Sequence, residues 1–302
     1  MSSSWFQRDL ELYGPDTAGQ AVSLTEARAY CRRLAITHYE NFTVASWLLP
    51  RKLRQHMANV YAYCRWSDNL ADEIELAEDS LRLLQWWEQQ LDTCANGSAT
   101  HPVFVALRDT LREFKMPTEP FHDLLVAFRQ DQHKTRYASF DDLLQYCRYS
   151  ANPVGRIVLF LGRAHNPQTV PLADAICTGL QLANFWQDVA RDFDRGRIYV
   201  PAETMSHFEY NEARFAARRA DNEFRQMLKH EVDRAETFLA AGRPLEQMVP
   251  ADLRVDVALF VDGGLAVLHA IRRLNYDVWT KRPAVGKLQK LRLLASAWWR
   301  TF

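Results

Sequence analysis

The sequence predicts an all-α protein, folded as a single domain of eight or more helices. Three observations carry this. Apolar residues recur at three-to-four spacing in segment after segment, and strong helix formers fill the charged stretches between them. Period-two alternation bounded by Asn-Gly or Asp-Gly turns is missing, so no sheet is expected. The chain has 302 residues, 48% hydrophobic and 25% charged, which is ordinary globular composition. That length is about twice an average domain, but no Gly/Ser linker or internal repeat divides it.

The elements follow in order. Ser23-Leu24-Thr25-Glu26 reads as a capping box, with Ser23 at the N-cap and Glu26 three residues on. Pro50 stands where proline suits a helix start, and Leu53, Met57, Val60, Tyr61 and Cys64 follow as its apolar face. Leu81 to Leu91 predicts an amphipathic helix stopped by Asn96-Gly97, and Phe121, Leu124, Leu125 and Phe128 define another face. Residues 154–162 and 173–189 are apolar with helical period. Residues 211–241, rich in Ala, Glu, Arg and Leu, read as helix throughout.

Charge and cysteine usage exclude several classes. The 37 basic and 37 acidic residues cancel, which argues against a nucleic-acid partner. From Arg272 to Phe302 eight Lys/Arg face a single acid, Asp277. Such a tail could make peripheral contact with an anionic membrane surface or serve as a solvated basic helix. The five cysteines are scattered without a C-x-x-C, as expected of reduced thiols in a cytoplasmic protein. The nine histidines hold no H-x-x-x-H pair. No signal-peptide-like start and no apolar stretch of about 18 residues is present, so a soluble or peripheral protein is expected.

Asp68-Asn-Leu-Ala-Asp72 and Asp188-Val-Ala-Arg-Asp192 each place two aspartates at i and i+4. Like charges on one helix face repel, whereas Mg²⁺ takes carboxylate oxygens and bridges them to phosphate. Spacing alone decides nothing: 21 Asp in 302 residues give about one or two such pairs by chance, and the third here, Asp252/Asp256, is assigned to chance. Context raises the first two. Tyr61 and Arg65 continue the first face, and Gln181 and Asn184 the second, inside an otherwise apolar run where burying them unsatisfied would be expensive. Arg195-Gly196-Arg197-Ile198-Tyr199 then offers guanidinium groups suited to a polyanion. Together the pieces describe two acidic helices facing a cavity, holding two or three Mg²⁺ on a diphosphate, with Arg65 and Arg197 neutralising the leaving group. The carbocation left behind needs a dry lining of aromatic faces, for which Phe42, Tyr61, Tyr146, Phe160, Phe185 and Trp186 are candidates.

The segments YAYCRWSDNLADE (61–73) and QLANFWQDVARDFDRGRIYVP (181–201) resemble the paired aspartate-rich motifs of the squalene/phytoene synthase family, in order and separation. The resemblance runs from about residue 24 to 292. It implies a single-domain class I isoprenoid synthase fold, helices around a central cavity. It also implies Mg²⁺ ligation by Asp68, Asp72, Asp188 and Asp192, and diphosphate or metal contacts from Arg65, Gln181, Asn184 and Arg197. Tyr146, in YCRYSANPVGR, matches the catalytic tyrosine, acting with Asp68 and Asp188. The stretches HYENFTVAS (38–46) and SANPVGR (150–156) resemble the hydroxysqualene synthase branch of bacterial hopanoid pathways. That branch ionises presqualene diphosphate and quenches the cation with water, so no NADPH is expected. Glu40 and Asn152 become candidates for shaping water access, and Pro153 for kinking a cavity helix. A squalene or presqualene diphosphate synthase, a terpene cyclase and a non-catalytic helical assembly subunit are the alternatives. Oligomeric state is left open.

Overall fold

The computed structural model describes residues 5–17, 22–37, 50–286, 289 and 293. Among them every regular element is a helix. The chain divides into two compact units, 1–133 and 134–302.

The first unit contains α1 (Trp5–Tyr13), α2 (Leu24–Thr37), α3 (Arg51–Asp72), α4 (Ala77–Ala95), α5 (Pro102–Phe114) and α6 (Glu119–Gln130). The capping box forms at the start of α2: the Ser23 N–H donates to Glu26 at 3.0 Å and the Glu26 N–H donates to the Ser23 hydroxyl at 3.3 Å. The Ser23 hydroxyl, donating to the same carboxylate at 2.6 Å, and the Ser23 N–H hold the Glu26 carboxyl below its ordinary range. Pro50 precedes α3, where its missing N–H costs nothing. The core behind α3 is aromatic, with Trp66 and Trp87 stacked at 5.2 Å and Tyr63 meeting Phe121 edge-on at 5.0 Å. Both stacked indoles find partners inside. Trp66 Nε1 donates to the Tyr30 hydroxyl at 2.9 Å, and Trp87 Nε1 to Ser67 at 3.0 Å. His101 caps α5 through Nδ1, and burial pushes its pKa down to about 3, so it stays neutral.

The second unit contains α7 (Phe140–Ser150), α8 (Asn152–Leu161), α9 (Thr169–Asp194), α10 (Ala202–His207), α11 (Glu212–Ala216), α12 (Asn222–Gly242), α13 (Leu245–Met248) and α14 (Ala251–Arg273). Helix α9 is its axis, packed by α8, α12 and α14. Gly179 makes the α9–α12 approach: a Cβ there would lie 2.7 Å from Leu239 Cγ and 2.9 Å from the Leu239 nitrogen.

Two expectations change. The helix read across 211–241 is broken: Arg218 takes φ +50°, and Asp221 caps a new helix by accepting from the Phe224 N–H at 3.0 Å. A capping carboxylate outweighs the helix propensity of its alanine and arginine neighbours. Pro153 does not kink a continuous helix. The break falls at Ala151 (φ −122°, ψ −49°), and Pro153 sits in the first turn of α8, where proline is tolerated.

Candidate functional site

Helix α3 buries Ala62, Tyr63, Trp66, Ser67, Leu70 and Ala71, leaving one polar stripe on its less buried side. That stripe carries Tyr61, Arg65 and Asp68, all half-buried, and exposed Asp72. Of the face expected to be core, Leu53 and Val60 are buried. Met57, Tyr61 and Cys64 lie on the half-open side, because the large indole and phenol rings of Trp66 and Tyr63 claim the interior. Arg65 Nη1 donates to Asp68 Oδ2 at 3.0 Å, a same-helix i,i+3 contact. Burial, then the Asp68 carboxylate, pushes the Cys64 thiol up to about 12, so it stays neutral.

Helix α9 repeats the pattern. Leu182, Ala183, Phe185, Trp186 and Val189 are buried, while Gln181, Asp188 and Asp192 are half-buried and Asn184 is exposed. The burial cost anticipated for these polar groups is escaped by exposed Asn184 but incurred in part by the others, Asp192 above all. Asp188 departs from helical geometry at φ −107°, ψ 16°. Its carboxylate accepts from Arg282 Nε at 2.6 Å and Arg282 Nη2 at 2.8 Å. Burial, reinforced by Asp188, pushes the Asp192 carboxyl up to about 7, against the opposing pull of Arg195, Arg197 and Arg191.

The Arg197 N–H donates to the Asp192 carbonyl at 2.8 Å, closing the turn at Gly196 (φ +76°). Beyond it the backbone pairs with residues 135–138: the Ile198 N–H donates to Thr135 O at 3.0 Å and the Ala202 N–H to Tyr137 O at 2.9 Å. This pairing builds an aromatic cluster. Phe185 and Tyr199 stack at 3.8 Å, Tyr137 stacks on Tyr199 at 5.6 Å, and buried Tyr146 lies 6.1 Å from Phe185 and 6.0 Å from Tyr199. Asp192 and Arg197 line a small recess with Phe185, Trp186, Tyr199 and Phe215. Asn152 is buried, its Oδ1 accepting from the Thr178 hydroxyl of α9 at 2.9 Å.

Asp188, Asp192, Gln181, Asn184, Arg197, Tyr146, Phe185 and Asn152 thus all belong to the second unit, with Phe185, Asp192 and Arg197 around one recess, while Tyr61, Arg65, Asp68 and Asp72 share one stripe in the first. Phe160 does not join the aromatic group: it stacks on His165 at 3.9 Å. Phe42 and Glu40 lie outside the described residues. Tyr137, Thr178, Gln187 and Arg282 were not among the candidates. Tyr199 stood inside the quoted motif without a role. Each is placed by tertiary pairing rather than by helical spacing.

The donor set fits Mg²⁺. That ion takes hard oxygens, keeps several waters and needs only one or two carboxylates beside substrate phosphate. Two carboxylates per helix suffice, although among the described residues no group of three or more His, Cys, Asp or Glu side chains gathers as a metal centre. A pair whose second member resists ionising beside the first is one that a divalent cation relieves.

Residues 35–289 match the squalene/phytoene synthase family model. The chain belongs to the squalene/phytoene synthase family. It is similar to a squalene synthase of Alicyclobacillus acidocaldarius, at 43% identity and TM-score 0.81, over 85% of this chain and 97% of that one. It is 34% identical to a hydroxysqualene synthase of Sinorhizobium fredii, over 75% of this chain and 77% of the relative. It is 31% identical to a phytoene synthase of Arthrospira platensis, over 88% of this chain and 91% of the relative. The isoprenoid synthase helical fold expected from the motifs is the fold observed. As a family member the chain is of the kind that acts on isoprenoid diphosphates. Among the described residues no helix is long and apolar enough to cross a membrane.

Proposed function

We propose that this chain ionises presqualene diphosphate and quenches the rearranged C30 cation with water, giving hydroxysqualene, diphosphate and a proton. The C30 reading is supported by the 43% identity to the squalene synthase over 85% of this chain and the 34% identity to the hydroxysqualene synthase over 75%, while the phytoene synthase matches at 31% over 88%. Asp68, Asp72, Asp188 and Asp192 would hold two or three Mg²⁺, which supply charge neutralisation to the leaving diphosphate. Arg65 and Arg197 add fixed positive charge suited to phosphate oxygens, and Gln181 and Asn184 offer donors on the same stripe as the second pair. Tyr146, within 6.1 Å of Phe185, presents both a ring face and a hydroxyl. The stacked rings of Phe185 and Tyr199 help exclude bulk water. The Asn152–Thr178 pair and Ser150 Oγ, which is buried with no hydrogen-bond partner among the described residues, are suited to hold one water.

Purified protein given presqualene diphosphate, Mg²⁺ and ¹⁸O-water tests this. The expected product is a C30 alcohol carrying ¹⁸O, formed at a rate indifferent to NADPH. Squalene formed only with NADPH moves the chain to the reductive branch. A second reading, condensation of two prenyl diphosphates, is favoured by the similarity to phytoene synthases. Turnover of farnesyl or geranylgeranyl diphosphate, with no turnover of presqualene diphosphate, would establish it.

A further inference from the structure

After α14 the chain folds back onto α9. Asn275 and Tyr276 take φ +49° and +60°, Val278 is buried, and the Trp279 ring packs on Phe193, Phe215 and Phe224 at 5.0 to 6.0 Å. The Asp277 carboxylate accepts from the Thr280 N–H at 3.1 Å and hydroxyl at 2.9 Å. Up to Thr280 this return is anchored by apolar packing. Beyond it, the bonds to α9 have a different character. Arg282 forks onto both oxygens of Asp188, its Nη2 also donates to Gln187 Oε1 at 3.0 Å, and Gln187 Nε2 donates to the Pro283 carbonyl at 2.7 Å. All four bonds end on two adjacent residues, at the point where α9 leaves helical geometry.

We propose that Arg282 is a built-in stand-in cation, latching the strap 281–286 onto Asp188 until a divalent cation takes the carboxylate and frees the strap. This rests on the reading of Asp188 as a metal ligand. A guanidinium fork matches a carboxylate bidentately and uses the lone pairs that face it. Mg²⁺ needs one of those oxygens at about 2.0–2.1 Å in a near-octahedral shell, so fork and ion compete for the same electron pairs and repel as like charges. The latch also adds a counter-charge, beyond Arg191 at 3.6 Å from Asp188, for two aspartates one turn apart in the metal-free protein. Gln187 is neutral, so its bond to Pro283 is not contested by the ion and re-forms as the strap returns when the metal leaves.

Titration of Mg²⁺ alone into the full chain by calorimetry, with hydrogen exchange of the strap amides, tests the exchange of partners. Arg282→Gln should bind Mg²⁺ about tenfold more tightly than wild type, the order expected for removing one charge-assisted contact. Arg282→Lys, which keeps the charge and loses the fork, should fall between them. In wild type, saturating Mg²⁺ should speed exchange of amides in 281–286 while the segment around Trp279 stays protected, a readout that needs no variant to fold. Equal or weaker Mg²⁺ affinity in Arg282→Gln, or strap exchange unmoved by bound Mg²⁺, would overturn the latch and leave the metal assignment standing. If wild type and Arg282→Gln both fail to bind Mg²⁺, or Asp188→Asn binds as wild type does, the metal reading itself falls and the latch with it.

Discussion

Helices α3 and α9 carry the same aspartate spacing and are held in opposite ways. Helix α3 is regular through Asp68 and Asp72, and its orientation is set from behind by Trp66, Trp87 and Tyr63. Helix α9 bends at Asp188, and its acidic stripe is braced from the front by Arg282 on Asp188 and by Arg197 near Asp192. One stripe is placed by packing on the far face of its helix, the other by charged groups on its own face. Stability and metal chemistry should therefore separate in α3 and be coupled in α9.

The largest expected effect lies in the packing. Trp66→Ala removes a fully buried indole and its bond to Tyr30, and should cost about 3–5 kcal/mol. Gly179→Ala in α9 forces a methyl against Leu239 and should cost about 1–3 kcal/mol. Urea unfolding followed by hydrogen exchange reads both, and exchange should rise first in 51–114 for the former and in 169–242 for the latter. Equal, chain-wide loss of protection in the two proteins would erase the distinction between them.

Next come the carboxylates. Asp68→Ala and Asp188→Ala should each lower diphosphate release by roughly 10²–10³-fold, the range for losing one preorganised electrostatic partner. Excess EDTA should do the same to wild type. The comparison sharpens in the melting curve: Asp68→Ala should melt as wild type does, whereas Asp188→Ala, which strands the Arg282 fork, should melt lower. Substantial turnover in EDTA would remove the metal chemistry altogether.

Most of the fold was legible because helices are local. The capping box at Ser23, the proline at 50 and the Asn-Gly stop at 96 are decided within four residues, and the structure places them as read. The acidic stripes were legible for the same reason. What periodicity did not reveal is non-local. Arg282 and Asp188 are 94 residues apart in sequence. Tyr137 reaches Tyr199 only through backbone pairing of 135–138 with 198–203. Helix α3 shows the limit of counting apolar positions: Leu53 and Val60 go inside, but Tyr61 and Cys64, which satisfy the same period, stay half-buried while the larger rings at 63 and 66 take the interior.

Tyr146 gives a smaller effect. Tyr146→Phe keeps the ring beside Phe185 and Tyr199 and removes the hydroxyl, so ionisation should slow about tenfold, the value of one charge-assisted hydrogen bond. Single-turnover release of diphosphate measures this, with Mg²⁺ affinity unchanged. Unaltered rates would reduce Tyr146 to a member of the aromatic packing that has no counterpart on the α3 stripe.

The smallest effect tests whether spacing alone makes an acidic site, through the third D-x-x-x-D pair. Asp252 is exposed, whereas Asp256 is buried in α14 and neither of its oxygens has a hydrogen-bond partner among the described residues. Burial, then the charge of Asp252, pushes the Asp256 carboxyl up to about 7 from an ordinary 3.8. A carboxyl raised by folding stabilises the native state below its unfolded value, and that contribution is lost as pH climbs through about 7. Between pH 6 and pH 8 the loss amounts to about 1 kcal/mol. Asp192, raised for a related reason, adds a fall of the same sign in metal-free protein. Asp256→Asn cannot ionise, so it should remove about half of the fall in denaturation free energy across that window, while Mg²⁺ binding stays as in wild type. Loss of Mg²⁺ affinity in Asp256→Asn would make the third pair a ligand set like the other two. An unchanged pH slope would mean that Asp256 finds a partner or solvent, and the contrast between a buried acid without a partner and the ion-paired acidic stripe of α9 would not hold.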